Sequence, residues 1–274
     1  MRGWWREISG LVLPVACEGC GAPRGGGLCE RCAGALAGLG AGRVRPAREP
    51  AGLPVVHAAV PYEGAVRELL IAHKERGALG LAGALGGALA GAVEAAVGPV
   101  GGAGERPLLL VPVPSSRRSV RARGHDPTRR VALAAAARLR RVGRPARVVP
   151  VLRQGRAVAD QAGLGARGRR ANLAGALEVV PGGARPLAAG RVLLVDDLMT
   201  TGATLAEAAR ALGAVHPPFT GRTAGGTGRS RSPGSDFAQH EFEQRVAAVI
   251  ASSPASFEIN RNSPGTWIVA GGER

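Results

Sequence analysis

Residues 191–205 read R-V-L-L-V-D-D-L-M-T-T-G-A-T-L, and their reading decides the fold. Val192 to Val195 is a short, apolar, β-rich run, which predicts a strand of a parallel sheet buried on both faces. Leu205 to Leu212 (L-A-E-A-A-R-A-L) predicts the helix that follows it. Between them lies a polar turn: Asp196 and Asp197 close the strand, and Thr200, Thr201, Gly202, Ala203 and Thr204 open the helix. A helix N-terminus supplies unpaired N–H donors and the positive end of the helix dipole, Gly202 lets backbone approach a ligand, and three threonines add hydroxyls. Such a turn is a cradle for an anion, best of all a phosphate.

The carboxylates narrow the choice of phosphate compound. Two acids beside a phosphate site repel a nucleotide's phosphates, but they accept hydrogen bonds from the vicinal hydroxyls of a ribose whose 5′-phosphate rests in the threonine turn. A ribose 5-phosphate is therefore the natural ligand. The stretch is not a Walker loop, since G-x-x-x-x-G-K-[ST] is absent, and no G-x-G-x-x-G follows this strand. An ordinary capped strand-turn-helix needs one Ser or Thr and no paired acids.

The chain has 274 residues, enough for one α/β domain with small additions. It is rich in glycine (43) and poor in aromatics (3%), and Lys74 is its single lysine, so its net charge of +16 is almost wholly arginine. Between Arg117 and Arg170 sixteen Arg face only Asp126 and Asp160. A block of that kind favours polyanions: pyrophosphate, nucleotides or nucleic acid.

All four cysteines lie near the start, as Cys17-x-x-Cys20 and Cys29-x-x-Cys32. Two such knuckles predict a closed tetrahedral zinc site, structural because four thiolates leave no open position. Two disulfides or an iron–sulfur cluster are the alternatives. The preceding segment, Met1 to Cys17, has roughly a lipoprotein-signal layout, but Glu7 breaks its charged region and Pro14 stands where such a signal wants Leu. The stretch Leu79 to Val97 is apolar yet diluted by glycine and interrupted by Glu94, so no membrane span is expected, and the chain reads as cytoplasmic.

The remaining pattern alternates strand and helix. Leu36 to Pro54 reads as a linker, Val55 to Val60 as a strand, Tyr62 to Lys74 as a helix with Val66, Leu69 and Leu70 on one face, and Leu79 to Val97 as a small-residue helix. His73 reads as a packing or surface residue. Leu108 to Val113 is a second buried strand. It runs into Ser115-Ser116-Arg117-Arg118, a polar basic segment at the carboxyl end of a parallel strand, where such folds bind ligands. Thr128 to Arg141 reads as a helix, Val148 to Leu152 and Leu173 to Val180 as strands, and the basic, Gly-rich stretch Arg153 to Asn172 as a lid.

The strand, D-D and T-T-G-A-T series closely resembles the PRPP-binding motif of type I phosphoribosyltransferases (PRPP, 5-phosphoribosyl 1-pyrophosphate). In combination with that series (V-L-L-V-D-D-L-M-T-T-G-A-T), four further motifs resemble the ComF family over roughly Leu11 to Gly213: the four cysteines, Y-E-G-A-V-R-E-L-L-I-A-H-K, V-P-V-P-S-S-R-R-S-V-R-A-R-G-H-D, and Q-A-G-L with a following R and N-L-A-G-A. The resemblance implies an α/β fold of the type I phosphoribosyltransferase kind, a Rossmann-like parallel sheet flanked by helices, with a zinc module at 11–36 and the phosphoribosyltransferase-like domain at 55–213. It implies transfer of a phosphoribosyl group from PRPP with release of pyrophosphate. Asp196 and Asp197 would be catalytic, 200–204 the PRPP loop, and Ser115 to Arg118 the pyrophosphate loop, with Mg²⁺ accompanying PRPP. Competence is implied too, with single-stranded DNA or DNA-uptake proteins as partners. The family's usual R-G-F-N-Q is Arg123-Gly-His-Asp-Pro127 here, and the Thr often found before its Gln is Val158.

After Leu212 the texture changes. Gly213-Ala-Val-His-Pro-Pro218 breaks the pattern, all four Phe lie beyond it, and 220–235 is rich in Gly, Arg and Ser. This predicts an atypical, partly disordered tail over 214–274, arising from fusion or frameshift and costing the sheet its last strand. Within it, Phe242, Val246, Val249 and Ile250 suggest one helix face.

Overall fold

A computed structural model describes residues 15–24, 27–38, 40–99, 106–156, 173–215 and 245–261. A six-stranded sheet organises them, in the order β3-β4-β10-β9-β5-β6. Its strands are β3 (Gly42–Val44), β4 (Val55–Pro61), β5 (Leu108–Pro112), β6 (Ala146–Val148), β9 (Arg191–Met199) and β10 (Val246–Ser252). Five run parallel, and β3 joins the β4 edge antiparallel. Two small hairpins stand apart: β1 (Val15–Ala16) with β2 (Pro23–Arg24), and β7 (Leu152–Gln154) with β8 (Leu177–Val179).

The helices are α1 (Glu30–Ala37), α2 (Gly64–Glu75), α3 (Ala82–Val97), α4 (Arg117–Arg123), α5 (Pro127–Arg141), the short α6 (Ala184–Leu187), α7 (Ala203–Val215) and α8 (Pro254–Arg261). Because side chains alternate along each strand, the sheet feeds two cores. Leu108, Leu110, Leu193 and Val195 face a layer built from α2, α3 and α5, including Leu69, Leu85, Leu89, Val131 and Leu139. Leu109, Val111 and Leu194 face the other way, onto Leu205, Ala208 and Leu212 of α7 and onto Leu152 and Leu177 of the β7–β8 hairpin. The segment Leu79–Val97 is long and apolar enough to cross a membrane by length and composition. Here Leu85, Leu89 and Val93 are buried in the first of the two cores.

The tail is where the sequence reading and the fold diverge most. Val246–Ser252 is a strand, not a helix face, and it lies in the interior of the sheet between β4 and β9. Ala247, Ala248, Val249, Ile250 and Ala251 are each 0% exposed, so the sheet keeps its strand and the domain extends past 213. The apolar run is too short to fix its own period, and the two waiting strand edges decide it.

Three smaller corrections have similar causes. The expected linker carries β3, whose Val44 is buried against β4, and α1 runs on to Ala37. The strand expected over 148–152 divides at Pro150, a residue without an N–H donor, into β6 of the main sheet and β7 of the hairpin. Of the strand expected over 173–180 only Leu177–Val179 pairs. Residues 1–14, the 157–172 part of the expected lid, and 220–235 lie outside the described residues.

Candidate functional site

β5 leads through α4 and α5 to β6 on one side, whereas β9 leads through α7 to β10 on the other, with α5 and α7 on opposite faces of the sheet. The two neighbouring strands β5 and β9 thus bound a topological switch point, where connections diverge and leave a crevice at the carboxyl ends. Both segments singled out in the sequence open at this crevice. Val195 pairs with Pro112, and the Val113 N–H donates to the Val195 carbonyl at 2.9 Å, so Asp196 to Thr204 and Ser115 to Arg118 leave adjacent strands at one edge.

On the β9 side, Asp197 is 8% exposed and Asp196 half-buried, while Thr200 is exposed and Thr201 and Thr204 half-buried. The Asp197 N–H donates to Asp196 Oδ1 at 2.8 Å. Burial and the neighbouring Asp197 push the Asp196 carboxyl well above its ordinary value, against the opposing pull of Lys74 and that N–H. Gly202 makes the turn into α7 at φ +74°, and its Cα lies against Leu53: an added Cβ would come within 2.8 Å of the Leu53 side chain. The glycine is required by its positive φ, where the sequence suggested only ligand approach. Ala203 begins α7, and its N–H donates to Thr201 Oγ1 at 3.4 Å.

On the β5 side, Ser115 to Arg118 is not a free loop. Ser116 caps α4, its Oγ accepting from the Ser119 N–H at 3.0 Å, and Arg117 and Arg118 form the first turn. Ser115 is half-buried and Arg118 exposed. The segment therefore presents a helix N-terminus to the crevice, one that favours anions.

A third component was not read from the sequence. Three consecutive residues at the end of α2 tie both sides of the crevice together. Lys74 Nζ donates to Asp197 Oδ2 at 2.7 Å. Glu75 Oε1 accepts from Arg123 Nη2 at 2.7 Å, and buried His73 stacks edge-to-face on His125 with ring centroids 6.0 Å apart. His73 is thus a packing residue, as expected. Burial alone would lower the Lys74 value, but Asp197 and then Asp196 outweigh it and hold the ammonium protonated. The available signal was that Lys74 is the single lysine of an arginine-rich chain. Its partner, 123 residues away, has no local signature.

The four cysteines converge as their spacing predicts. Their sulfurs all lie within 4.8 Å of one another, with Cys20 and Cys29 at 3.5 Å. Sulfurs bound tetrahedrally at about 2.3 Å stand about 3.8 Å apart, so the cluster can hold a metal ion. Backbone N–H groups of Cys20 and Cys29 draw the Cys17 thiol down to about 6, while burial and the three neighbouring thiols push Cys32 up. Sulfurs crowded in this way are relieved by a cation. The cluster is not a separate module: Cys17 and Cys32 belong to the first core, and Gly19 sits so close to Leu69 of α2 that an added Cβ would collide with it.

Compared with known proteins, the chain matches no family model and no curated protein.

Proposed function

We propose that the protein is a type I phosphoribosyltransferase-like enzyme of the ComF kind, which takes PRPP and transfers its phosphoribosyl group with release of pyrophosphate. The observation that carries this reading is the convergence, at one switch-point crevice, of a paired acid, a threonine turn opening a helix, and a second basic helix N-terminus. Each meets a different part of the ligand. The turn 200–204 holds the 5′-phosphate, Asp196 and the unshared oxygen of Asp197 accept the ribose hydroxyls, and Ser115 to Arg118 receive the pyrophosphate.

Mg²⁺ enters as part of the substrate. Ser115 to Arg118 contribute no carboxylate, and on this reading the acid pair of β9 is taken up by the Lys74 ammonium and the ribose hydroxyls. Metal-bound PRPP brings the cation with its own phosphate oxygens. As the C1′–O bond to pyrophosphate breaks, positive character on C1′ is stabilised by the adjacent acids, and the arginines take up the charge of the leaving group. Incubation with PRPP, magnesium and a panel of bases, while pyrophosphate is measured, tests the reading. Base-dependent pyrophosphate release is expected, and absence of PRPP binding by calorimetry overturns it. The cytoplasm, where PRPP chemistry is at home, is the matching location.

One observation favours a second reading, a nucleic-acid-binding scaffold of the DNA-uptake machinery. Arg118, Arg121, Arg129, Arg130, Arg138 and Arg141 on α4 and α5 are exposed, and none of them is in an ion pair among the described residues. A steep fall in DNA affinity with added salt, without turnover of PRPP, would favour it.

Zinc is the metal that best suits four thiolates with no open position. Replacing Cys32 with Ser should release about one equivalent of zinc and, through the Gly19–Leu69 contact, lower stability by roughly 3 kcal/mol or more, about 10 °C in melting temperature. Full stability without bound metal would remove zinc from the account.

A further inference from the structure

Lys74 invites a functional explanation because a structural one is incomplete. The chain uses arginine at every other basic position, yet here keeps a lysine. It lies at the end of α2, its ammonium engages only Oδ2 of Asp197 among the described residues, and the lysine side chain is 38% exposed against 10% for the aspartate. An ammonium is a compact point charge with three donors, of which this contact uses one. A guanidinium in the same place would fork across both carboxylate oxygens.

The surroundings explain why a charge is needed. Asp196 and Asp197 are adjacent, poorly solvated and at the edge where a phosphorylated sugar would sit. Two uncompensated carboxylates there repel every phosphate brought to the crevice, and in a poorly hydrated site that repulsion is far stronger than in water. Compensation by a bidentate arginine would occupy the oxygens that the sugar hydroxyls need.

Resting on the phosphoribosyl reading above, we propose that Lys74 is a positioning residue of the ligand site. It neutralises the acid pair through a single oxygen of Asp197, which admits an anionic sugar phosphate while leaving Oδ1 of Asp197 for the ribose. Lys74 acts through Asp197 and not as an acid or base, because its ammonium stays charged.

The role predicts a dependence on ligand charge that simple packing would not give. Lys74→Met should bind PRPP roughly fivefold more weakly and ribose 5-phosphate less than about twofold more weakly, since the loss scales with the number of phosphates repelled. Both affinities are measured by calorimetry on the full chain in low salt, with melting temperature as the control for folding. Lys74→Arg keeps the charge and provides the second test should the methionine variant fail to fold. Its fork covers both oxygens, and PRPP affinity should fall at least fivefold. Equal losses for the two ligands, or an arginine variant that binds like the wild type, overturn the proposal. A wild-type protein that binds neither ligand removes the phosphoribosyl reading itself, and this role with it.

Discussion

A chain ending at Gly213 is expected not to fold. Such a truncation deletes β10, which lies between β4 and β9 and pairs with both over residues 246–252. Its loss exposes two interior strand edges, each with unpaired N–H and C=O groups, and opens both cores along their middle. Each buried Val or Ile contributes about 1.5–3 kcal/mol, so the strand's side chains and ladder together approach the whole 5–15 kcal/mol by which a domain of this size is stable. Residues 1–213 should therefore be recovered as aggregate, or as a soluble chain without a cooperative melting transition. Val249→Asp, a single charge at a position 0% exposed, should act the same way in the full-length chain. A soluble 1–213 fragment with a sharp thermal transition would mean that this strand is dispensable and that the domain does end at 213.

The second large effect is at the acid pair. Asp197→Asn should weaken PRPP binding by about 10-fold or more, because a charge-assisted hydrogen bond from a sugar hydroxyl contributes about 1.5–3 kcal/mol and an amide oxygen gives less. The substitution also releases Lys74 from the contact that fixes it at 2.7 Å. The net gain of a positive charge works in the opposite direction, by about the fivefold expected for Lys74→Met, and offsets only part of the lost hydrogen bond. On the proposed reading turnover should fall further than binding, since the same carboxylate would face the charge that develops on C1′. Calorimetry and pyrophosphate release together measure both effects. Unchanged PRPP affinity in a well-folded Asp197→Asn protein would dismiss the acids as ligand groups.

Much of the site is local and was legible for that reason. A strand that ends in two acids and a threonine turn that opens a helix are neighbours in sequence, so 191–205 carries its own geometry, and the fold keeps it as β9, the turn and α7. The four cysteines are nearly as local: each C-x-x-C pair makes its knuckle within four residues, and the second pair sits at the start of α1, with Cys29 at its N-cap and Cys32 in its first turn. Less legible were contacts that join distant segments. Nothing around Lys74 names Asp197, and nothing around Glu75 names Arg123, because an ion pair across 123 or 48 residues leaves no spacing to read.

By itself, then, the amino-acid sequence determined the threonine turn, the acid pair, the thiol cluster and the alternation of strands with helices, all of which depend on groups close to one another along the chain. Tertiary structure alone decided three things: that 246–252 is an interior strand, that β5 and β9 are adjacent so that the threonine turn and the Ser115–Arg118 segment share a crevice, and that the one lysine meets the acid pair there. The physical reason is common to all three. Strand pairing and ion pairing between remote segments are chosen by the burial and charge balance of the whole domain, and a short apolar run or a single charge is compatible with several partners until that balance selects one.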